Sequence, residues 1–216
     1  MFDPHESPSA ILDVTVMLPL QETAASEEDE RRVLLHDVPW STYIVLADSV
    51  DSPAVRLTYL EGLLEIMTTS LRHEVSNKQI ARLVELFCLE RDIPLFGYGK
   101  TTHREEAKKR GLEPDEWYTR GPRPFPPPDI AIEVVVSSPL LNKLEVYRGL
   151  GIREVWVYRH KRGAFELFEL RGDRYEPIEA SGVIPELDFA RILHYLQDPD
   201  QHAALKAFRD ELRGTP

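Results

Sequence analysis

The stretch PPPDIAIEVVV, residues 126–136, decides how this chain is read. Three prolines lead into Asp129, and the aliphatic run that follows suits a strand buried on both faces. Glu133 sits inside that run. A carboxylate in a dry strand is costly unless a cation or hydrogen-bond donors meet it. Side chains alternate along a strand, so Asp129, Ala131, Glu133 and Val135 share one face, and Ile130, Ile132, Val134 and Val136 the other. Asp129 and Glu133 share a face but cannot share an ion. Four residues at about 3.3 Å rise separate them by roughly 13 Å, whereas carboxylates on one Mg²⁺ each sit about 2.1 Å from it. Asp129 is left in a supporting role.

The partner of Glu133 is sought on the preceding strand, in EPDEWY, residues 113–118. Antiparallel pairing through the connection 121–128 sets Thr119 against Ile130 and Trp117 against Ile132. Glu116 then falls opposite Glu133, with Asp115 one step diagonal. Like charges facing across a strand pair are destabilising, and a bound cation relieves them. Downstream, SPLLNKLEVYRGLG reads as a helix ending at a glycine, with Lys143 in its first turns. His73 and Glu74 open the chain's clearest helix and offer an imidazole or a third carboxylate. Paired carboxylates with a lysine suit metal-assisted phosphodiester hydrolysis. A structural reading stands beside this one: Glu133 in an ion pair with Lys143 or an arginine, Asp115 as a turn or cap residue after Pro114, and His73 and Lys143 as ordinary helix residues.

The rest of the chain sets bounds. With 216 residues and 42% hydrophobic composition it is expected to form one domain with a tail. Residues 1–35, polar and acidic around SEEDERR, read as a partly disordered tail, and residues 36–216 as the folded domain. The order helix, hairpin, long helix, strands, helix, strands, helix predicts an α/β (mixed α+β) fold around one central mixed sheet flanked by helices. In the long helix, Val75, Ile80, Leu83, Val84 and Phe87 form the predicted apolar stripe, Ser70 its cap and Pro94 its stop. The single Cys88 lies in an apolar helical pattern and excludes a cysteine zinc cluster. No apolar run nears the roughly 20 residues that span a bilayer, and the N-terminus lacks a basic start with a long apolar core. A cytoplasmic protein with no membrane partner is expected. The net charge of −11 opposes broad coating of nucleic acid, though not a local basic rim.

Four phrases in series, YLEGLLEIMTTSLRHE, GLEPDEWY, PPDIAIEV and NKLEVYRGLGIREVWVYR, resemble the Uma-two family of endonucleases. That family belongs to the PD-(D/E)XK superfamily with the restriction-endonuclease-like fold. The resemblance runs from about residue 39 to 187. It implies that Asp115 and Glu133 bind Mg²⁺ (or Mn²⁺), that Lys143 assists the attacking water or the developing charge, and that Glu74 orients or completes the metal shell, with His73 and Asp129 in support. The superfamily's lysine stands two residues after the glutamate, where this chain has Val135, so its role passes to Lys143. A nucleic-acid substrate, DNA first, is implied. Lys100, Arg104, Lys108, Lys109 and Arg110 form the densest basic cluster and are expected to face it. A homodimer is expected. An alternative is a catalytically inactive nuclease fold that dimerises and binds.

Overall fold

The computed structural model describes residues 30–52, 54–98, 103–106, 109–122, 127–139 and 141–214. Its elements run β1 (Arg31–Leu35), α1 (Trp40–Ser49), β2 (Val55–Leu60), β3 (Leu63–Thr68), α2 (Leu71–Glu90), β4 (Phe96–Gly97), β5 (His103–Glu105) and β6 (Arg110–Leu112). Then follow β7 (Glu116–Thr119), β8 (Ile130–Val135), α3 (Lys143–Leu150), β9 (Glu154–Arg159), β10 (Ala164–Arg171), β11 (Arg174–Ile178), α4 (Phe189–Leu196) and α5 (Gln201–Gly214). This is a mixed α+β architecture of the restriction-endonuclease-like kind.

Local chemistry explains most boundaries. Glu61 and Gly62 turn the β2–β3 hairpin with φ of 48° and 98°, the paired positive angles that match the twist of two-residue hairpins. The Ser70 hydroxyl accepts from the His73 amide at 3.2 Å and caps α2. Gly151, at φ 74°, closes α3. The polar stretch 1–35 divides. Residues 1–29 lie outside the described residues, while Arg31–Leu35 pair with β3 as an edge strand and Glu30 is buried.

The strands form two sheets rather than one. The first, antiparallel throughout, has the order β1-β3-β2-β6-β5. The second has the order β11-β10-β9-β8-β7-β4 and is mixed, with β8 and β9 parallel. A sequence shows which runs are strands but not which edges meet. Here α3, the crossover from β8 to β9, packs against β2, β5 and β6, so the first sheet covers α3 while the second supports it. On the other face of β8, Ile130, Ile132 and Val134 bury against Ile80, Leu83, Val84 and Phe87 of α2, with Phe208 and Leu212 of α5. Val75, expected in that stripe, is 42% exposed. Among the described residues no helix is long and apolar enough to cross a membrane.

The β7–β8 register is one residue from the expected pairing. Glu116 faces Ile132, Trp117 faces Ala131 and Tyr118 faces Ile130. Asp129 sets this. Its amide donates to the Tyr118 carbonyl at 3.0 Å and its carboxylate accepts from the Arg120 amide at 2.8 Å, which holds the connection one residue longer than expected. The ladder ends at Glu116 and Ile132, and this register continued by one residue sets Asp115, in the bend before β7, on the level of Glu133 in place of Glu116.

Candidate active site

Glu133 is 2% exposed on the face of β8 that α3 covers. Asn142 caps α3, accepting from the Leu144 amide at 3.2 Å, and so sets Lys143 at the helix start. The Lys143 ammonium donates to Glu133 Oε2 at 2.6 Å. Tyr147, one turn on along the same helical face, donates its hydroxyl to Glu133 Oε1. Asp115, also 2% exposed, lies in the bend before β7, where its Oδ2 accepts from the Val134 amide at 2.8 Å. The strand ladder therefore carries Asp115 on its own backbone, beside Glu133.

The first turn of α2 closes the site from the opposite face. His73 is wholly buried, with Nε2 3.1 Å from Asp115 Oδ2 and 3.9 Å from Glu30 Oε1. The attraction between His73 and Asp115 is chiefly of charge. Glu74 lies 3.6 Å from His73 Nδ1 and pairs with Arg56 at 3.4 Å. Glu30 is a member that composition had assigned to the tail. Its Oε2 accepts from the Ser137 amide at 3.0 Å, the Ser137 hydroxyl at 2.6 Å and Arg32 at 2.7 Å, and Arg32 reaches Glu65 at 2.8 Å. Nothing in the run SEEDERR distinguishes Glu30 from its neighbours. Tyr147 was more accessible to inference, standing four residues after Lys143.

These groups shift one another. Burial disfavours a charge on His73, but Asp115 above all, with Glu74 and Glu30, outweighs it and pushes the ring up to about 10. The ring is an imidazolium at neutral pH. Burial works against the Asp115 carboxylate too, yet His73 and Lys143 hold it below the usual range. Burial raises Glu133, and Asp115 adds to the rise beyond what Lys143 and Tyr147 offset. Burial would lower Lys143, but Glu133 and Asp115 outweigh it and keep the amine protonated. Glu133 is thus the carboxylate whose charge is least favoured, and the one a divalent cation would relieve most.

The donor chemistry suits such a cation. Among the described residues no three His, Cys, Asp or Glu side chains are grouped to hold an ion by themselves. An ion here would take the carboxylates of Asp115 and Glu133 and complete its shell with water and phosphate, which is how Mg²⁺ is commonly held. A cavity of about 100 Å³ adjoins Glu133 and Lys143, with Arg159 on its wall. One carboxylate oxygen nearby, Glu30 Oε1, is buried without a hydrogen-bond partner among the described residues.

The remaining expected positions lie elsewhere. Asp129 anchors the β7–β8 connection rather than joining the carboxylates. Lys100 and Lys108 fall outside the described residues, and Lys109 is exposed at φ 47°. Arg104 pairs with Asp48 at 2.8 Å. Arg110 pairs with Glu61 at 2.8 Å and lies over Gly149 at the C-terminal end of α3, the end away from Lys143.

No curated protein matches this chain. Residues 40–196 match the Uma2 family, described as "Putative restriction endonuclease", and the four sequence phrases that carry the resemblance all fall within or up to that match. The match takes in Asp115, Glu133, Lys143 and the α2 entry with His73, and leaves Glu30 and Arg32 outside it, so the chain belongs to the Uma2 family of restriction-endonuclease-like proteins.

Proposed function

We propose that this chain is a metal-dependent endonuclease that hydrolyses phosphodiester bonds of nucleic acid, DNA in the first instance. The observation that carries the reading is the nearness of two buried carboxylates, Asp115 on the Val134 amide and Glu133 beside it, with the Lys143 ammonium on Glu133. Asp115 and Glu133 would hold Mg²⁺ or Mn²⁺, which when bound polarises a phosphate and acidifies a water. Lys143 would steady the charge that develops on the phosphate. His73 keeps Asp115 ionised, Tyr147 orients Glu133, and Glu74, paired with Arg56, supports the His73 ring.

A second reading is a nuclease fold without catalysis. It is favoured by the closure of Glu133, both of whose oxygens already accept from Lys143 and Tyr147, and by Val135 at the position of the superfamily's lysine. Glu133→Gln separates the two. In the nuclease reading, Mn²⁺ at about ten times its Kd stabilises the wild type by roughly 1.4 kcal/mol. The variant should lose that gain together with cleavage, beyond the roughly 3–5 kcal/mol that it loses in EDTA in either reading, because Lys143 is left without its partner. In the second reading the wild type gains nothing from Mn²⁺, and the loss in the variant is the same with or without metal. A wild type whose melting is indifferent to Mg²⁺ and Mn²⁺ and that cleaves no nucleic acid would end the nuclease reading.

A further inference from the structure

A second concavity opens where α2 begins and β9 ends. Its volume is about 580 Å³, and Leu71, Arg72, Val75, Ser76 and Gln79 of α2 face the turn after β9 across it. Two of its residues adjoin the carboxylate site along the chain. On α2, Arg72 precedes His73; on β9, Arg159 at the edge of the Glu133 cavity precedes His160 in the cleft. The cleft has polar groups fixed in place. Ser76 Oγ lies 3.3 Å from His160 Nδ1, and the His160 ring stands edge-on to Tyr158 at 6.0 Å.

Three features point to a ligand. Gln79 lines the cleft at 2% exposure, and neither its amide oxygen nor its amide nitrogen has a hydrogen-bond partner among the described residues. An unsatisfied buried polar group costs about 1–3 kcal/mol, so a donor–acceptor pair left in this state fits an incoming group with the complementary edge. At the mouth, Leu71 is 77% and Val75 42% exposed, apolar surface that a flat ring would cover. Two cations lie on or next to the cleft. Arg72 lines the cleft, and Lys161 in the turn after β9 is exposed and makes no ion pair among the described residues. Asp198 on the opposite wall and Glu166, which pairs with Arg159 and Arg162, keep the field local.

We propose that this cleft seats a single nucleic-acid strand beside the carboxylates, its phosphates on Arg72 and Lys161 and a base over Leu71 and Val75 toward Gln79. The inference rests on the nuclease reading and names its substrate form. Its volume falls in the range of about 300–1,000 Å³ that receives small organic units, which suits a nucleotide unit rather than a duplex. The charge balance agrees. A chain at −11 repels a long run of phosphates, and two cations engage about two of them.

The test is binding in EDTA, where no metal-dependent cleavage interferes. A short fluorescein-labelled oligothymidylate and a duplex of the same length are titrated by anisotropy over a range of salt. The single strand should bind the tighter, with a log–log salt slope near −1.4 for two phosphates at about 0.7 each. Lys161→Ala, at an exposed turn, should weaken binding about five- to tenfold and reduce the slope by roughly 0.7. Gln79→Leu, which keeps the volume and removes the amide, should weaken it without changing the slope, with circular dichroism confirming an unchanged fold. Tighter duplex binding, or loss on Arg104→Ala and Lys109→Ala in place of Lys161→Ala, overturns the cleft. Duplex cleavage by a wild type that ignores the single strand overturns it too and leaves the nuclease standing. Strand binding that follows Lys161 in a protein with no response to Mn²⁺ supports the cleft and removes the nuclease.

Discussion

Glu133 and Glu154 are both buried carboxylates in neighbouring strands, and their surroundings differ in kind. Glu154 accepts from the Trp156 indole at 3.0 Å, the Ser181 hydroxyl at 2.6 Å, and the amides of Gly182 and Val183 at 2.8 and 3.0 Å. Neutral donors fix it, and it ties the 181–184 segment to the sheet. Glu133 instead meets an ammonium and a phenol on one helix, beside a second carboxylate. Tyr147→Phe should therefore cost about 1–3 kcal/mol in a urea denaturation, as it removes one donor from a buried acceptor. His73 gives a signed pH dependence. Its pKa rises from the ordinary 6.5 to about 10 on folding, so its stabilising contribution is complete below pH 6.5. The contribution falls as pH climbs and is gone above about 10. The stability gap between wild type and His73→Gln, followed by denaturant midpoints, should be widest at pH 6 and narrow steadily toward pH 10. A gap that does not change with pH would mean the ring is neutral in the folded protein.

Two glycines of one helix separate backbone cost from packing cost. Gly151, at φ 74°, has open space where a Cβ would stand, so Gly151→Ala should cost about 1 kcal/mol from the left-handed backbone alone. At Gly149 an added Cβ collides with the Arg110 side chain, which is held by Glu61. Gly149→Ala should cost about 1–3 kcal/mol as an overpacked contact, and Arg110→Ala should relieve part of it in the double variant. Thermal melts of the three variants suffice. The same division governs what could be read at this scale. The Ser70 cap, the Glu61-Gly62 turn and the Gly151 stop were legible, since each depends on residues within a few positions. Val75 was not. A 3.6-residue period gives a face, but where that face meets its cover depends on the packing of α4 and α5, and Val75 falls beyond their edge.

For the whole molecule, the contribution of the N-terminal residues is measurable. Glu30 is buried, the Arg32 side chain is largely covered, and the two join β1 to Glu65, His73 and Ser137. Deleting residues 1–36 removes both ions and the edge strand, and should lower the melting temperature far more than deleting 1–29, by an amount in the range of about 3–5 kcal/mol for a broken buried pair. Equal melts for the two deletions would show that β1 adds nothing. What the sequence by itself determined was local and periodic: a strand buried on both faces with a carboxylate inside it, the helix bearing Lys143, the entry of α2 at His73, and the family resemblance those phrases carry. Only the tertiary structure decided that Glu116 faces Ile132 and that Asp115, on the Val134 amide, is the carboxylate beside Glu133, because the connection at Asp129 sets a register that alternation leaves free by a residue. It also decided that the strands divide into two sheets about α3, and that Glu30 leaves a polar run to lie against His73. Such pairings join residues far apart in the chain, and charge and hydropathy along the sequence do not encode which distant partner a buried ion will meet.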